Sequence, residues 1–317
     1  MKSELATKYM AWFKEKLCDS EKCPSDSTLK TYAYSMAWMA KRIDGFTKDN
    51  VPDCETIMKY MDGNKVKTTR RLASYTALKV WHNCKGEKDC SSKFCTPLIL
   101  AKREQDSHYA KQERSEHQDK NWVDFKVLKK YAACIREKTF HLDKNKLWTK
   151  DEYAMATLAF ILQYHLIYPI RRCLCTVQWG TKEDDGNYLD TKTQTIVYNK
   201  HKTAKWKGQV THKLSRQLWR LFSLLRKQQK MRDIQSGPIL LNRYWRKMSK
   251  NGYSSWLKRE MKKCYGCADK EVGCLIIRHA VITHKRRHCM TNAQREKFAN
   301  QCMHSAATND TYRVHKD

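Results

Sequence analysis

The sequence predicts a mainly α chain with a small β-sheet or hairpin, an α+β fold in two domains. Three observations carry this expectation. Gly and Pro number only 10 and 5 among 317 residues, so helices are seldom interrupted. Apolar residues recur at three- and four-residue spacing along most of the chain. Strict alternation, the mark of a half-buried strand, is confined to one stretch, residues 187–215.

KYMAWFKEKL (8–17) reads as an opening helix. In SDSTLKTYAYSMAWMAKRI (25–43), Leu29, Tyr32, Met36, Met39 and Ile43 form one apolar face, and Ser25 or Ser27 supplies the cap. CETIMKYM (54–61) is a short helix. VKTTRRLASYTALKVWHN (66–83) is another, with Thr68 as its expected cap. These helices make a compact unit ending near Asn83. KGEKDCSSK (85–93) reads as a polar loop. AKREQDSHYAKQERSEHQDK (101–120) is densely charged without an apolar stripe, so it is a solvated helix or a linker. The expected division is a helical domain over 1–100, a charged linker over 101–120 and a second domain over 121–317. NWVDFKVLKKYAACIREK (121–138) is amphipathic, and DEYAMATLAFILQYHLIY (151–168) is apolar enough for a buried helix. TQTIVYN and GQVTHKLS then alternate around a lysine-rich turn. Helices resume at 215–230, 254–264, 274–288 and 292–303.

The chain holds 63 Lys and Arg against 33 Asp and Glu, a net charge of +30. Such a field calls for an acidic partner, most commonly the phosphates of a nucleic acid. The asymmetry is strong: residues 1–120 carry net +6 and the rest net +24. No membrane association is expected, because the longest apolar run, LAFILQYHLIYPI, is too short to span a bilayer and contains Gln163 and His165. MKSELATKYMAWF has an early acid and no small-residue cleavage site, so no secretory signal is expected. The 14 cysteines then read mostly as reduced thiols of an intracellular protein. Cys264-Tyr-Gly-Cys267 has zinc-compatible spacing with Cys274 nearby, but no second pair completes it. The cluster Cys84, Cys90 and Cys95 is equally incomplete, and no metal is expected.

No GxxxxGK[ST] loop is present, so ATP use is unsupported. Acids are sparse after residue 190, which disfavours two-metal phosphodiester cleavage. A metal-free route needs a nucleophile, cations for the growing phosphate charge and an acid for the leaving oxygen. Suitable groups occur at YPIRRCL (168–174), KHKTAKWK (200–207), LIIRHAVITH (275–284) and MHSAATNDTY (303–312). Arg278 in an apolar helical run is informative, since a buried Arg requires a partner. Taken alone, Tyr312 would be a tail residue, Arg171 and Arg172 a solvated helix end, and His279 a core histidine.

The order Arg, hairpin Lys, Arg, His, Tyr resembles the tyrosine recombinase (phage-integrase) family. YPIR is similar to its first-arginine box, IIRHAVIT to its Arg-His box, and MHSAATNDTY to its His…Tyr box. The N-terminal SDSTLKTY and VKTTRRLASY resemble its helical core-binding domain. NW at 121–122 and NKHKT look most like compact recombinases of eukaryotic DNA viruses, virophages and Crypton-type elements. Two positions depart from the pattern: Leu275 stands where the family usually has His, and Met303 where it usually has Gly. The resemblance implies a core-binding domain followed by a tyrosine-recombinase catalytic domain. It implies Tyr312 as the nucleophile forming a 3′-phosphotyrosyl link, Arg171 and Arg278 as the phosphate clamp, Lys202 as the acid and His304 as a phosphate ligand. Arg172, Lys205, Lys207 and His279 are expected DNA contacts. Arg172 remains a rival to Arg171, and Lys200, Lys205 and Lys207 remain rivals to Lys202. The implied partner is double-stranded DNA, bound by a homo-tetramer that is a monomer or weak oligomer when free. No cofactor is implied. The expected setting is integration or excision of a viral or mobile element, in a host nucleus or a viral replication compartment. HKRRH (284–288) is too short for an import signal. Two alternatives stay open: a type IB topoisomerase-like enzyme, and a catalytically weakened DNA-binding or packaging protein, the latter motivated by Leu275.

Overall fold

The structure, a computed structural model, describes residues 4–18, 23–179, 186–264, 267–286 and 290–314. The chain separates into two compact units, Met1–Lys111 and Gln112–Asp317.

The first unit is helical: α1 (Glu4–Leu17), α2 (Asp26–Ala40), α3 (Cys54–Gly63), α4 (Thr68–Cys84), α5 (Lys88–Lys93) and α6 (Cys95–Ala110). Ser25 caps α2 by accepting from the Thr28 N–H, and Asp53 does the same for α3 with Thr56. The cap residue of α4 is Lys67, not Thr68, and its side chain makes no capping bond. The apolar stripe of α2 buries Leu29, Met36 and Met39 against Tyr9 and Phe13 of α1 and Trp81 of α4. The stretch expected as a polar loop contains α5. The charged segment 101–120 begins as the second part of α6, which adds Ala101 to this core. The helical unit therefore runs past Asn83 to Lys111, because Phe94 and Ala101 supply apolar anchors that the surrounding charges conceal. His82 Nδ1 lies 2.6 Å from Glu87 Oε2, with Cys90 adjacent; this is the one trio of metal-suited donors among the described residues. Cys18 and Cys23 are disulfide-bonded, and the other described cysteines are free.

The second unit begins with α7 (Glu116–Lys120), α8 (Phe125–Phe140) and α9 (Lys150–Ile167). Helix α9 is closed by a Thr149–Glu152 capping box and is buried almost all round. A 3-10 turn (Arg172–Thr176) leads to β1 (Gln178–Trp179), β2 (Tyr188–Asp190), β3 (Thr195–Tyr198), α10 (Ala204–Lys207) and β4 (Val210–Lys213). Then follow α11 (Arg216–Lys230), β5 (Gly237–Pro238), α12 (Lys250–Met261), α13 (Cys274–Lys285), α14 (Asn292–Gln301) and α15 (Ala306–Asp310). The five strands form one mixed sheet in the order β4-β3-β2-β1-β5, parallel only between β1 and β2. β3 and β4 pair antiparallel from Thr195↔Lys213 to Tyr198↔Val210. The lysine-rich connection expected as a hairpin tip is a helical turn, α10. Cys264 and Cys267 face one another, whereas buried Cys274 hydrogen-bonds Tyr253. These three thiols do not form a ligand set among the described residues. No described helix is long and apolar enough to cross a membrane.

Candidate active site

The site starts where α9 stops. Pro169 has no N–H to continue the helix, and Tyr168 leaves helical geometry at φ −121°, ψ 84°. Ile170 is buried. This turn parts the two adjacent arginines. Arg171 lines a cavity of about 320 Å³. Arg172 is exposed and donates from Nη1 to Asn251 Oδ1 at 2.9 Å; it does not line the cavity.

Helix α13 brings in Arg278, which is 1% exposed. Its Nη2 donates to the Cys302 carbonyl at 3.0 Å and lies 2.6 Å from His304 Nε2. Its Nε and Nη1 are buried without a partner, and no carboxylate pairs with it among the described residues. Burial lowers its pKa from 12.5 to about 10, so it stays charged at neutral pH. A buried cation with idle N–H groups, on a side chain that lines the cavity, is suited to an incoming oxyanion. His304 is driven the other way: burial first, then Arg278, Arg171, Lys202 and Lys207, lower its pKa to about 2. It is neutral, as it must be to accept from a guanidinium that can only donate. The cavity is lined by Arg171, Lys202, Lys207 and Arg278 and by no acid, so a divalent cation would find no carboxylate there. Cys173 also lines it, but burial raises that thiol's pKa and keeps it protonated.

Lys202 is placed by the turn before α10. Thr203 Oγ1 donates to the Met303 carbonyl at 3.0 Å, and Lys207 Nζ bonds Asn300. These bonds anchor the β3–β4 connection beside α14, with Lys202 at the rim of the cavity. Lys205 is exposed and does not line the cavity. Met303 stands at φ +56°, a conformation that costs a non-glycine residue about 1 kcal/mol. This is the position where the resembling family usually has Gly; the left-handed backbone explains that preference.

Residues 310–314 are docked, not frayed. Asp310 is held by Arg286 and by Arg295 Nη2, the latter at 2.9 Å. Val314 N–H donates to Thr283 Oγ1 at 3.1 Å. Tyr312 is 7% exposed. Its hydroxyl accepts from Arg171 Nη2 at 2.7 Å, and the Arg278 guanidinium lies 4.5 Å from its ring centroid. The His304 ring is 5.0 Å away. His279 is 6% exposed, and both ring nitrogens have protein partners: the Tyr312 carbonyl at 2.8 Å and Gln118 Nε2 at 3.0 Å. It is therefore not free to contact DNA, contrary to the sequence expectation. Leu275, in the first turn of α13, is 53% exposed.

The structure thus gathers Arg171, Arg278, His304 and Tyr312, with Lys202 and Lys207 at the cavity, and leaves Arg172, Lys205 and His279 outside it. Sequence reasoning missed His201, Trp206, Ser305 and Thr308 in the lining, because no spacing marks them. It also missed Gln118, although Ser115-x-x-Gln118 is a capping-box pattern.

In fold the chain is similar to a solved transposon integrase. No family model and no curated protein sequence matches the chain, but solved structures do. The Tn1549 transposon integrase, solved in complex with transposon right-end DNA, matches with a TM-score of 0.59 and 12% identity, over 98% of this chain and 95% of that one. The XerA recombinase crystal structure matches at TM-score 0.45 and 13% identity, with the same coverage.

Proposed function

We propose that this protein cuts and rejoins DNA strands through a 3′-phosphotyrosyl bond to Tyr312. The observation that carries this reading is the bond from Arg171 to the Tyr312 hydroxyl, with the buried Arg278 guanidinium against the Tyr312 ring, beside a cavity that both arginines line together with Lys202 and Lys207. Tyr312 Oη attacks the scissile phosphorus and gives up its proton to solvent water, and the bond to the 5′-oxygen breaks. Arg171 and Arg278 hold the non-bridging oxygens and stabilise their growing charge. Lys202, at the rim, gives its proton to the leaving 5′-oxygen. His304, being neutral, can donate to a phosphate oxygen from one ring nitrogen while the ring accepts from Arg278 Nη2. The covalent link conserves the phosphodiester bond energy, so rejoining by the 5′-hydroxyl needs no ATP.

The net charge of +30 and the DNA complex of the similar transposon integrase support double-stranded DNA as the partner. The reading extends to a homo-tetramer that integrates or excises a viral or mobile element, in a nucleus or viral replication compartment. Exposed Leu275 favours a second reading, DNA binding without cleavage, because no imidazole occupies that position. One experiment separates the two. Protein is incubated with nicked suicide duplexes bearing the terminal sequences of its own element, without ATP or metal, and run on a denaturing gel beside Tyr312→Phe. An adduct formed by the wild type and absent in the Phe variant is expected. Tight, salt-sensitive binding with no adduct supports the second reading.

A further inference from the structure

Tyr312 is held at both ends, and only one end belongs to the phosphate clamp. At the other, the main-chain carbonyl accepts from His279 Nδ1 at 2.8 Å. A carbonyl can only accept, so Nδ1 carries the proton and Nε2 offers a lone pair. That lone pair meets Gln118 Nε2 at 3.0 Å, which must donate. The amide of Gln118 cannot turn over, because its Oε1 accepts the Ser115 N–H at 2.9 Å. Every donor and acceptor in this chain of bonds has one consistent direction. It runs from the Ser115 amide through Gln118 and the buried ring of His279 to the peptide that carries Tyr312. Thr283, one helical turn beyond His279 on α13, accepts the Val314 N–H and holds the far side of the same turn.

We propose that Gln118 and His279 are positioning residues for the nucleophile: they fix one imidazole tautomer and thereby set where the Tyr312 main chain, and so its hydroxyl, stands relative to Arg171 and Arg278. The inference rests on the strand-cleaving reading above. Neither residue touches the reacting atoms. The groups acting on the charge of His279 are Arg278, next to it on α13, and the Tyr312 carbonyl. Burial, with Arg278 opposing a second positive charge, lowers its pKa to about 4. The ring therefore stays neutral, with one tautomer, across the physiological range.

The test uses full-length protein and the suicide duplexes, with adduct rate, DNA affinity and the ¹⁵N NMR tautomer of His279 as readouts. Wild type is expected to show the Nδ1–H tautomer and no change in adduct rate arising from His279 between pH 6 and 8. Gln118→Leu removes the donor to Nε2; the adduct rate should fall about 10- to 100-fold, the scale of a sub-ångström to ångström misplacement, with DNA affinity unchanged. Gln118→Glu is the sharper variant. A carboxylate there can bond only an Nε2–H, so the Tyr312 bond survives only while the imidazole carries both protons. Its adduct rate should match wild type at low pH and fall as pH rises through the imidazole's raised titration. A residue that merely supports the fold would not create that profile. An Nε2–H tautomer in the wild type, wild-type adduct rates in Gln118→Leu, or a parallel loss of binding and adduct overturns the inference alone. A wild type that forms no adduct overturns the functional reading and this inference together.

Discussion

Replacing Arg278 by Met should stabilise the free protein while destroying its site. The fall of the Arg278 pKa from 12.5 to about 10 corresponds to about 3 kcal/mol against the charged form in the folded state. The sign follows from linkage. The folded pKa lies below the unfolded one, so the cost is fully present below about pH 10 and is relieved only as pH rises toward 12.5. At pH 7 the whole cost applies. Methionine fills similar volume without a charge, and truncation also removes the bonds to Cys302 and His304, each contributing about 1 kcal/mol. The net expectation is a gain of about 1 kcal/mol, or about 2–4 °C in Tm for a unit of this size. Differential scanning calorimetry of Arg278→Met against wild type reads it directly. Inorganic phosphate should then raise the wild-type Tm and leave the variant unchanged, since only the wild type offers the idle N–H groups. A variant that unfolds below wild type without any anion would refute the reasoning: it would show the guanidinium satisfied by its protein neighbours and the cavity not poised for an oxyanion.

Two further outcomes follow from the same side chains. Burial, its largest cause, lowers the pKa values of His165 and His212 to about 3, of His279 to about 4 and of His304 to about 2. Below about pH 6.5 the unfolded chain binds protons that the folded chain refuses, so stability falls by about 1.4 kcal/mol per pH unit for each fully buried ring. With a typical total of 5–15 kcal/mol, the second unit should unfold above about pH 4 in a circular-dichroism titration; a fold intact at pH 3 would contradict this account. Lys202→Met should slow cleavage of an ordinary phosphodiester about 10²- to 10⁴-fold. A substrate with sulfur at the bridging 5′ position should restore the rate, because a thiolate leaves without a proton. Failure of that rescue would assign the acid to another group.

Much of this protein is legible without coordinates. Helix α2 declares itself through Leu29, Met36 and Met39 at helical spacing behind Ser25, and α9 through the apolar run within 151–168. Those signals are local, set by backbone period and capping. The lysine-rich β3–β4 connection was visible as a break in alternation, though not as a helical turn. Helix α5 was hidden and α6 was left open between a solvated helix and a linker, because Phe94 and Ala101 are single apolar anchors in charged sequence, and a lone anchor has no period. The site divides in the same way. Residue type and order single out Arg278, His304 and Tyr312 as candidates, and the excess of positive charge points to a polyanion. The choice of Arg171 over Arg172 could not come from sequence, since adjacent residues differ only in the direction the backbone takes after Pro169. Nor could the fate of His279, which lies beside Arg278 in the chain yet is sealed between Gln118 and the Tyr312 carbonyl. Composition and periodicity determined that the chain is helical, basic and equipped with these side chains. Tertiary contacts across 161 and 33 residues of sequence decided which of them face the cavity, because burial and hydrogen-bond direction are properties of neighbours in space.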